Sequence, residues 1–97
     1  MTLAEIRGEV ERHLAFSALS GASREVTEGS AQRILAALLR AHLRPRCTVS
    51  WYGESWLFER IERGDLIFHR PRAVIRIADF LTALRRGGVR DDLEGQP

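Results

Sequence analysis

Apolar residues recur at helical spacing near the start of the chain, with polar residues between them. Thr2 and Glu5 lie three residues apart at the head of this stripe, which is the capping-box pattern of a helix N-terminus. We therefore predict a first helix over about residues 3–18. Its apolar stripe consists of Leu3, Ile6, Val10 and Leu14.

A second and wider apolar stripe follows a polar segment. Residues 20–30 are rich in glycine, serine and acidic residues, so we predict a loop between two helices there. Thr27 or Ser30 is a suitable N-cap for the second helix. Pro45 ends it, because proline disfavours the helical conformation at the residue before it. The stripe consists of Ile34, Leu35, Leu38, Leu39 and Leu43.

Beyond Pro45 the pattern changes to short elements. Residues 46–51 alternate in polarity and include β-branched and aromatic side chains, which predicts a short strand with a turn at 52–54. Ser55 then caps a predicted helix of about two and a half turns, which ends at Gly64 because glycine readily takes the left-handed conformation after a helix. The apolar face of this helix consists of Leu57, Phe58 and Ile61.

The segment after Gly64 allows two interpretations. The first consists of a strand at 65–70, a turn at Pro71 and Arg72, a returning strand at 73–77, and a helix at 80–86 capped by Asp79. In the second, Pro71 opens one continuous helix that reaches Arg86, because the apolar residues of this segment also fit the helical period. Periodicity alone does not decide between them.

The charge pattern is set by arginine, since all fifteen basic residues are arginine and the formal net charge is +2. A genome rich in G and C favours arginine codons, and it also favours the abundant Ala, Gly and Leu of this chain. Alternatively, arginine is present because its planar fork suits phosphate and guanine edges. Residues 40–46 and 60–76 are enriched in arginine, whereas the acidic residues lie mostly in the first thirty residues and at the tail.

Several classes of protein are disfavoured by the sequence. No apolar run approaches the ~20 residues that cross a bilayer, and the N-terminus alternates acid and base, so we expect a cytoplasmic protein without a membrane partner. Cys47 is the single cysteine, which excludes an internal disulfide and a thiolate metal cage. A phosphate loop, a metal-spaced histidine–carboxylate pair and an activated nucleophile are all missing, and His42 and His69 are isolated in sequence. We therefore predict a protein that is not an enzyme and has no cofactor, catalytic residue or metal ligand.

Residues 55–86 carry the most specific pattern in the chain. A helix cap, a short apolar face, a glycine, a basic turn and a closing apolar segment follow one another in this order. Its positions are Ser55, Leu57, Phe58, Ile61, Gly64, Leu66, Arg70, Pro71, Arg72, Val74 to Ile77, Asp79, Phe80, Leu81 and Leu84. This order resembles the excisionase-type, MerR-like winged helix-turn-helix family. The resemblance favours the interpretation with two strands and a turn.

The resemblance implies a DNA-binding protein, either a recombination directionality factor of a phage or mobile element or a transcriptional regulator. In that family the short helix enters the major groove of double-stranded DNA, and the turn between the two strands forms a wing that contacts phosphate or the minor groove. Matching positions place Trp56, Glu59 and Arg60 on the recognition helix, with Arg63 on the same exposed face. The implied wing residues are Arg70 and Arg72, with Arg76 in the strand beside them.

The fold that follows is α+β and mainly α, in one domain over residues 1–97. Two N-terminal helices over residues 1–45 form a scaffold. Residues 46–88 form a winged-helix-like unit with a small antiparallel β-hairpin and a C-terminal helix. Residues 89–97 form a flexible tail, because they are polar and acidic.

A small protein-interaction domain is the alternative function, such as a phage or plasmid inhibitor, an adaptor or an antitoxin. Its contact surface would consist of Trp51, Tyr52, Trp56 and Arg60. These aromatic residues also have a simpler interpretation as core side chains of a small domain. The narrow stripe of the first helix additionally suggests a homodimer through the N-terminal helices.

Overall fold

The computed structural model describes residues 2–91 and shows an α+β fold in which helices pack on a five-stranded antiparallel sheet. The helices of this part of the chain are α1 (Leu3–Leu19), α2 (Arg24–His42) and α3 (Ile77–Arg85). The strands are β1 (Thr48–Trp51), β2 (Glu54–Glu62), β3 (Asp65–Arg70), β4 (Ala73–Arg76) and β5 (Val89–Asp91). The predicted α+β class and the two N-terminal helices are confirmed, and no helix within residues 2–91 is long and apolar enough to span a membrane.

The first helix begins where the sequence predicts. The Thr2 hydroxyl oxygen accepts a hydrogen bond from the Glu5 N–H at 3.1 Å, and the Glu5 carboxylate accepts one from the Thr2 N–H at 3.3 Å. This reciprocal pair is a capping box and satisfies two N–H groups that have no partner within the helix. The helix ends at Leu19, one residue beyond the predicted boundary.

The second helix is longer than predicted, because residues 24–30 are helical and not part of a loop. Its N-cap is Ser23, whose hydroxyl accepts from the Val26 N–H at 3.3 Å, and neither Thr27 nor Ser30 caps it. An ion pair of 3.2 Å between Arg24 and Glu28 supports the first turns. The helix ends at His42, before Pro45, as predicted.

The sheet has the strand order β4-β3-β2-β1-β5 with antiparallel neighbours throughout. Two-residue turns join β1 to β2 and β2 to β3. Their central residues all have positive φ, namely 48° at Tyr52, 87° at Gly53, 51° at Arg63 and 80° at Gly64. This is the geometry of type I′ turns, which match the twist of antiparallel strands. Gly64 is therefore a turn residue and does not end a helix.

The predicted recognition helix from Ser55 is wrong, since residues 54–62 form β2, the longest strand. A bulge explains the misleading pattern. Phe58 pairs with Phe68 and Arg60 pairs with Ile67, so Glu59 is an extra residue on β2.

The bulge changes the spacing of the side chains that face the core. Trp56 and Phe58 are two residues apart, as in a regular strand, but the next core-facing residue, Ile61, follows three residues later. Core-facing residues that are two and then three positions apart, with the apolar Leu57 between the first two, resemble the apolar spacing of a helix. The sequence pattern therefore predicted a helix where the structure has a strand.

The segment after Gly64 forms a hairpin and a short helix. β3 and β4 pair across the turn at Pro71 and Arg72, so the interpretation as two strands is confirmed and the continuous helix from Pro71 is wrong. The helix α3 begins at Ile77, three residues before the predicted start, with Arg76 and not Asp79 at the N-cap. The hairpin of the expected winged unit is present, but the helix that would enter a DNA groove is not.

One face of the sheet carries the core. Its buried side chains are Val49, Phe58, Leu66, Phe68 and Val89, and they pack against Leu3, Ile6, Val10, Ala31, Leu35, Leu39, Phe80, Leu81 and Leu84 from the three helices. The stripe proposed for dimerisation is part of this core, because Leu3, Ile6 and Val10 have no exposed surface and Leu14 packs against them. These side chains are thus already packed in the core of a single chain, and the predicted homodimer through them is not supported.

The predicted flexible tail begins too early. Val89–Asp91 forms the edge strand β5, which pairs with β1. One Asp91 carboxylate oxygen accepts from the Leu3 N–H at 2.8 Å, and the other lies 2.7 Å from His42 Nε2. Strand pairing and these contacts order residues 89–91, while residues 92–97 lie outside the described part.

Candidate functional site

The sheet face opposite the core is not covered by any of the three described helices, and we call it the open face. Residues that pair across antiparallel strands have their side chains on the same face of the sheet. Successive residues along one strand alternate between the two faces, except where the register shifts. The strand register therefore assigns to the open face Thr48, Ser50, Ser55, Leu57, Arg60, Glu62, Asp65, Ile67, Arg70, Val74, Arg76 and Arg90. None of these residues is buried.

The open face has an aliphatic strip bordered by arginines. Leu57, Ile67 and Val74 form the strip, and Val74 is 61% exposed. Leu57 lies opposite Arg70, so the guanidinium of Arg70 borders the strip directly. A partner of this face would meet both apolar surface and positive charge.

Arg60 is held by neighbouring carboxylates. Its guanidinium contacts Glu62 at 2.9 Å and Glu59 at 2.8 Å. The hydrogen bond to Glu62, followed by the nearby charge of Glu59, raises the pKa of Arg60 above its usual value. These contacts offset part of the positive charge of Arg60, and they fix its guanidinium over β2.

Arg70, Arg72 and Arg76 belong to the β3–β4 hairpin. Arg70 ends β3, Arg72 lies in the turn, and Arg76 ends β4; all three are exposed. None of their side chains has a hydrogen bond or ion pair with another residue of the 2–91 segment. The hairpin therefore presents three guanidinium groups that can still bind an anion, at the position predicted for a wing.

The remaining predicted contact residues are divided between different surfaces. Arg63 is exposed in the β2–β3 turn, and Glu59 is exposed at the bulge. Trp56 is half-buried on the core side, where it stacks on Trp51 with ring centroids 5.0 Å apart and meets Phe68 edge-on at 5.2 Å. Trp51 in turn contacts Phe80 of α3 at 6.1 Å. The two tryptophans are thus mainly core side chains, and a base contact by Trp56 is not supported.

A groove lies beside the open face where β2 extends beyond β1, and we call it the bulge groove. Its volume is about 440 Å³, and it is lined by Pro45, Arg46, Leu57, Phe58, Glu59, His69 and Arg70. A smaller depression of about 230 Å³ adjoins it, shares Pro45, Phe58 and Glu59, and adds Arg40 and Arg60. Four arginines therefore surround one short segment of β2.

Backbone hydrogen bonds fix the loop that forms one wall of this groove. The Arg46 N–H donates to the Phe58 carbonyl at 2.9 Å, and the Phe58 N–H donates to the Cys47 carbonyl at 2.8 Å. Arg46 has a φ of 71°, a backbone conformation that residues other than glycine rarely adopt. This geometry anchors Arg46 at the rim of the groove.

Sequence reasoning missed the groove, although one signal was present. Arg40, Arg46 and His69 were not predicted as contact residues, and they come from three separate segments. The enrichment of arginine at 40–46 pointed to the wall of the groove, but only the register of β2 and β3 places it beside Arg70.

Burial raises the pKa of the Cys47 thiol, which keeps it protonated and weakly nucleophilic at neutral pH. Within residues 2–91, no group of three His, Cys, Asp or Glu side chains is arranged to hold a metal ion.

Comparison with protein-family models, curated proteins and solved structures finds no significant match to this chain. The resemblance to winged helix-turn-helix proteins therefore stays a sequence-based prediction.

Proposed function

We propose that this protein binds nucleic acid through the arginines of its open face and its β3–β4 hairpin. The observation that carries the proposal is the exposed trio Arg70, Arg72 and Arg76 on one hairpin, without carboxylate partners in the described chain. Arginine is well suited to phosphate, because its planar guanidinium donates two parallel hydrogen bonds to phosphate oxygens.

The charge distribution of the chain supports the same surface. Residues 40–76 hold eight arginines against four carboxylates, whereas residues 1–39 hold four arginines against five carboxylates. The net charge of +2 thus hides a basic central segment, which contains four of the five described strands, and an almost neutral N-terminal helical segment. The basic segment attracts a polyanion and orients it towards the sheet.

The mode of binding differs from the one that the family resemblance implied. Without a recognition helix, a strand hairpin and a sheet face contact the phosphates, and base contacts contribute less than a helix in the major groove would. Glu62 and Asp65 lie on the same face and reduce its net charge. We therefore expect affinity in the micromolar range at physiological salt, as for other binding dominated by phosphate contacts.

Fluorescence anisotropy with a labelled 20-base-pair DNA duplex tests the proposal. Between 50 and 200 mM salt the logarithm of the affinity should fall against the logarithm of the salt concentration with a slope of about −3, for roughly three to four phosphate contacts. The variant Arg70→Ala/Arg72→Ala/Arg76→Ala should bind at least tenfold more weakly at 100 mM salt, with a slope close to zero.

The N-terminal helical segment offers a matched control. Arg12→Ala/Arg24→Ala/Arg33→Ala removes the same charge from α1 and α2, and it should change the affinity less than threefold. If the wild-type protein binds neither this duplex nor its single strands at 50 mM salt, or if both triple variants lose the same affinity, the proposal is wrong.

A protein partner is the second candidate, and the aliphatic strip favours it. Val74 of this strip is 61% exposed, and apolar surface beside arginine is typical of protein interfaces. A stoichiometric protein recovered from nuclease-treated lysate, and lost with Val74→Glu but retained with Val26→Glu on α2, would support this function.

A further inference from the structure

The bulge groove combines features that a phosphate-binding surface alone does not need. Part of its lining is apolar, namely Pro45, Leu57 and the buried Phe58. The charged part of the lining consists of Arg46, Arg70 and Glu59. Its volume of about 440 Å³ falls in the range of small-molecule sites.

We propose that the bulge groove binds one unstacked base of a single-stranded nucleic acid, with the adjoining phosphates held by the arginines on either side. This inference rests on the proposed nucleic-acid binding and specifies its ligand. A base within a duplex is stacked on both faces and paired along one edge, so it cannot enter a groove of this kind without being extruded.

The arrangement of the two depressions fits a nucleotide chain. Arg46 and Arg70 border the larger groove, Arg40 and Arg60 border the smaller depression, and Glu59 lies at the boundary that they share. The proposal places one phosphate against Arg46 and Arg70 and the next against Arg40, beside the Arg60 guanidinium that Glu59 and Glu62 already hold. The base between the two phosphates contacts the apolar lining residues, where its ring replaces water.

Glu59 gives the groove a preference among bases. One of its carboxylate oxygens, Oε2, contacts the Arg60 guanidinium at 2.8 Å, whereas Oε1 has no hydrogen-bond partner within the described chain. An ionised carboxylate only accepts hydrogen bonds. It therefore favours a base with an exocyclic amine, such as cytosine, over thymine, whose corresponding position is a carbonyl oxygen.

Binding of labelled 12-nucleotide oligomers of dC and dT and of a 12-base-pair duplex tests the inference. At 100 mM salt the dC oligomer should bind at least tenfold more tightly than the duplex. It should also bind about fivefold more tightly than the dT oligomer, which is the size of effect expected for one hydrogen bond to a solvent-exposed acceptor. The two oligomers carry the same charge and are both pyrimidines, so their difference reports the base.

Three variants assign the effect to the groove. Glu59→Gln should bring the ratio of dC to dT affinity from about five to about one, because an amide also donates to a carbonyl. Arg46→Gly suits the positive φ at this position, so it should fold normally and weaken binding of the dC oligomer about tenfold. Arg44→Ala removes an equal charge from the same loop outside the groove lining, and it should change that affinity less than threefold.

The outcomes separate this inference from the function on which it rests. If the duplex binds as tightly as the dC oligomer, or if Glu59→Gln leaves the ratio at five, the base site is wrong while nucleic-acid binding stands. If none of the three probes binds at 50 mM salt, the proposed function fails and the inference fails with it.

Discussion

Asp91 joins three elements that are far apart in sequence, and its removal tests how the fold is closed. One carboxylate oxygen accepts from the Leu3 N–H at the start of α1, and the other contacts His42 at the end of α2. The residue itself lies on β5, opposite Val49 of β1. The substitution Asp91→Ala removes both side-chain contacts at once.

The expected loss follows from these two contacts. A hydrogen bond to a charged group contributes about 1.5–3 kcal/mol when buried, and less when it is exposed. The Asp91 side chain is 29% exposed and that of His42 is 19% exposed, so we take about 1 kcal/mol for each contact. The total of about 2 kcal/mol corresponds to a decrease in Tm of about 8–16 °C for a domain of this size.

Urea and thermal denaturation followed by circular dichroism at pH 7 measure this loss. Arg90→Ala is the matched control, since Arg90 is on the same strand but on the open face, and it should change the free energy of unfolding by less than about 0.5 kcal/mol. Asp91→Asn keeps an acceptor for the Leu3 N–H and should lose about half as much as Asp91→Ala.

Equal stability of the Asp91→Ala and Arg90→Ala proteins would contradict this prediction. That result would mean that strand pairing alone holds β5, and that the contacts to Leu3 and His42 add nothing measurable.

Further predictions concern the turns and the buried thiol. Gly64→Ala should destabilise the fold by about 1 kcal/mol, because φ at this position is 80°. Gly8 lies inside α1 with open space around it, so Gly8→Ala should stabilise the fold by about 0.8 kcal/mol. Urea denaturation measures both changes. Burial raises the pKa of the Cys47 thiol above its unfolded value, so the folded state binds the thiol proton more tightly. The resulting contribution to the free energy of unfolding is fully present below the unfolded pKa of about 8.5. The free energy of unfolding should therefore fall as pH rises from about 8.5 through the folded pKa, and Cys47→Ala should lack this fall; an unchanged pH profile in that variant would contradict the assignment.

The helical half of the fold was largely predictable because its periodicity and caps agree. Thr2 and Glu5 gave the start of α1 and Pro45 gave the limit of α2. The first turns of α2 could not be found in the same way, because Val26 is exposed and these turns carry no apolar stripe that packs on the core. A cap at Ser23 and the pair Arg24–Glu28 are the local signals that would have extended the helix.

The sheet was predicted in part, and the failure has a specific cause. β1 and β4 follow regular alternation, and β3 does so up to Phe68, so all three were found, but the bulge at Glu59 shifts the core-facing positions of β2 by one residue. The same bulge forms the groove between Pro45 and Arg70. Local periodicity contains no information on the register between strands, so neither the open face nor the groove could be derived from the sequence.

The hydrogen bond between Leu3 and Asp91 has a consequence for synthesis of the chain on the ribosome. The first turn of α1 leaves the ribosome nearly ninety residues before β5, so the contact between them forms only after β5 has emerged. The same proximity makes residues 2 and 91 suitable points to join in a circular permutant. Opening such a permutant at the exposed Gly21, between α1 and α2, would leave the sheet continuous and allow α1 to be synthesised after the strand that receives it.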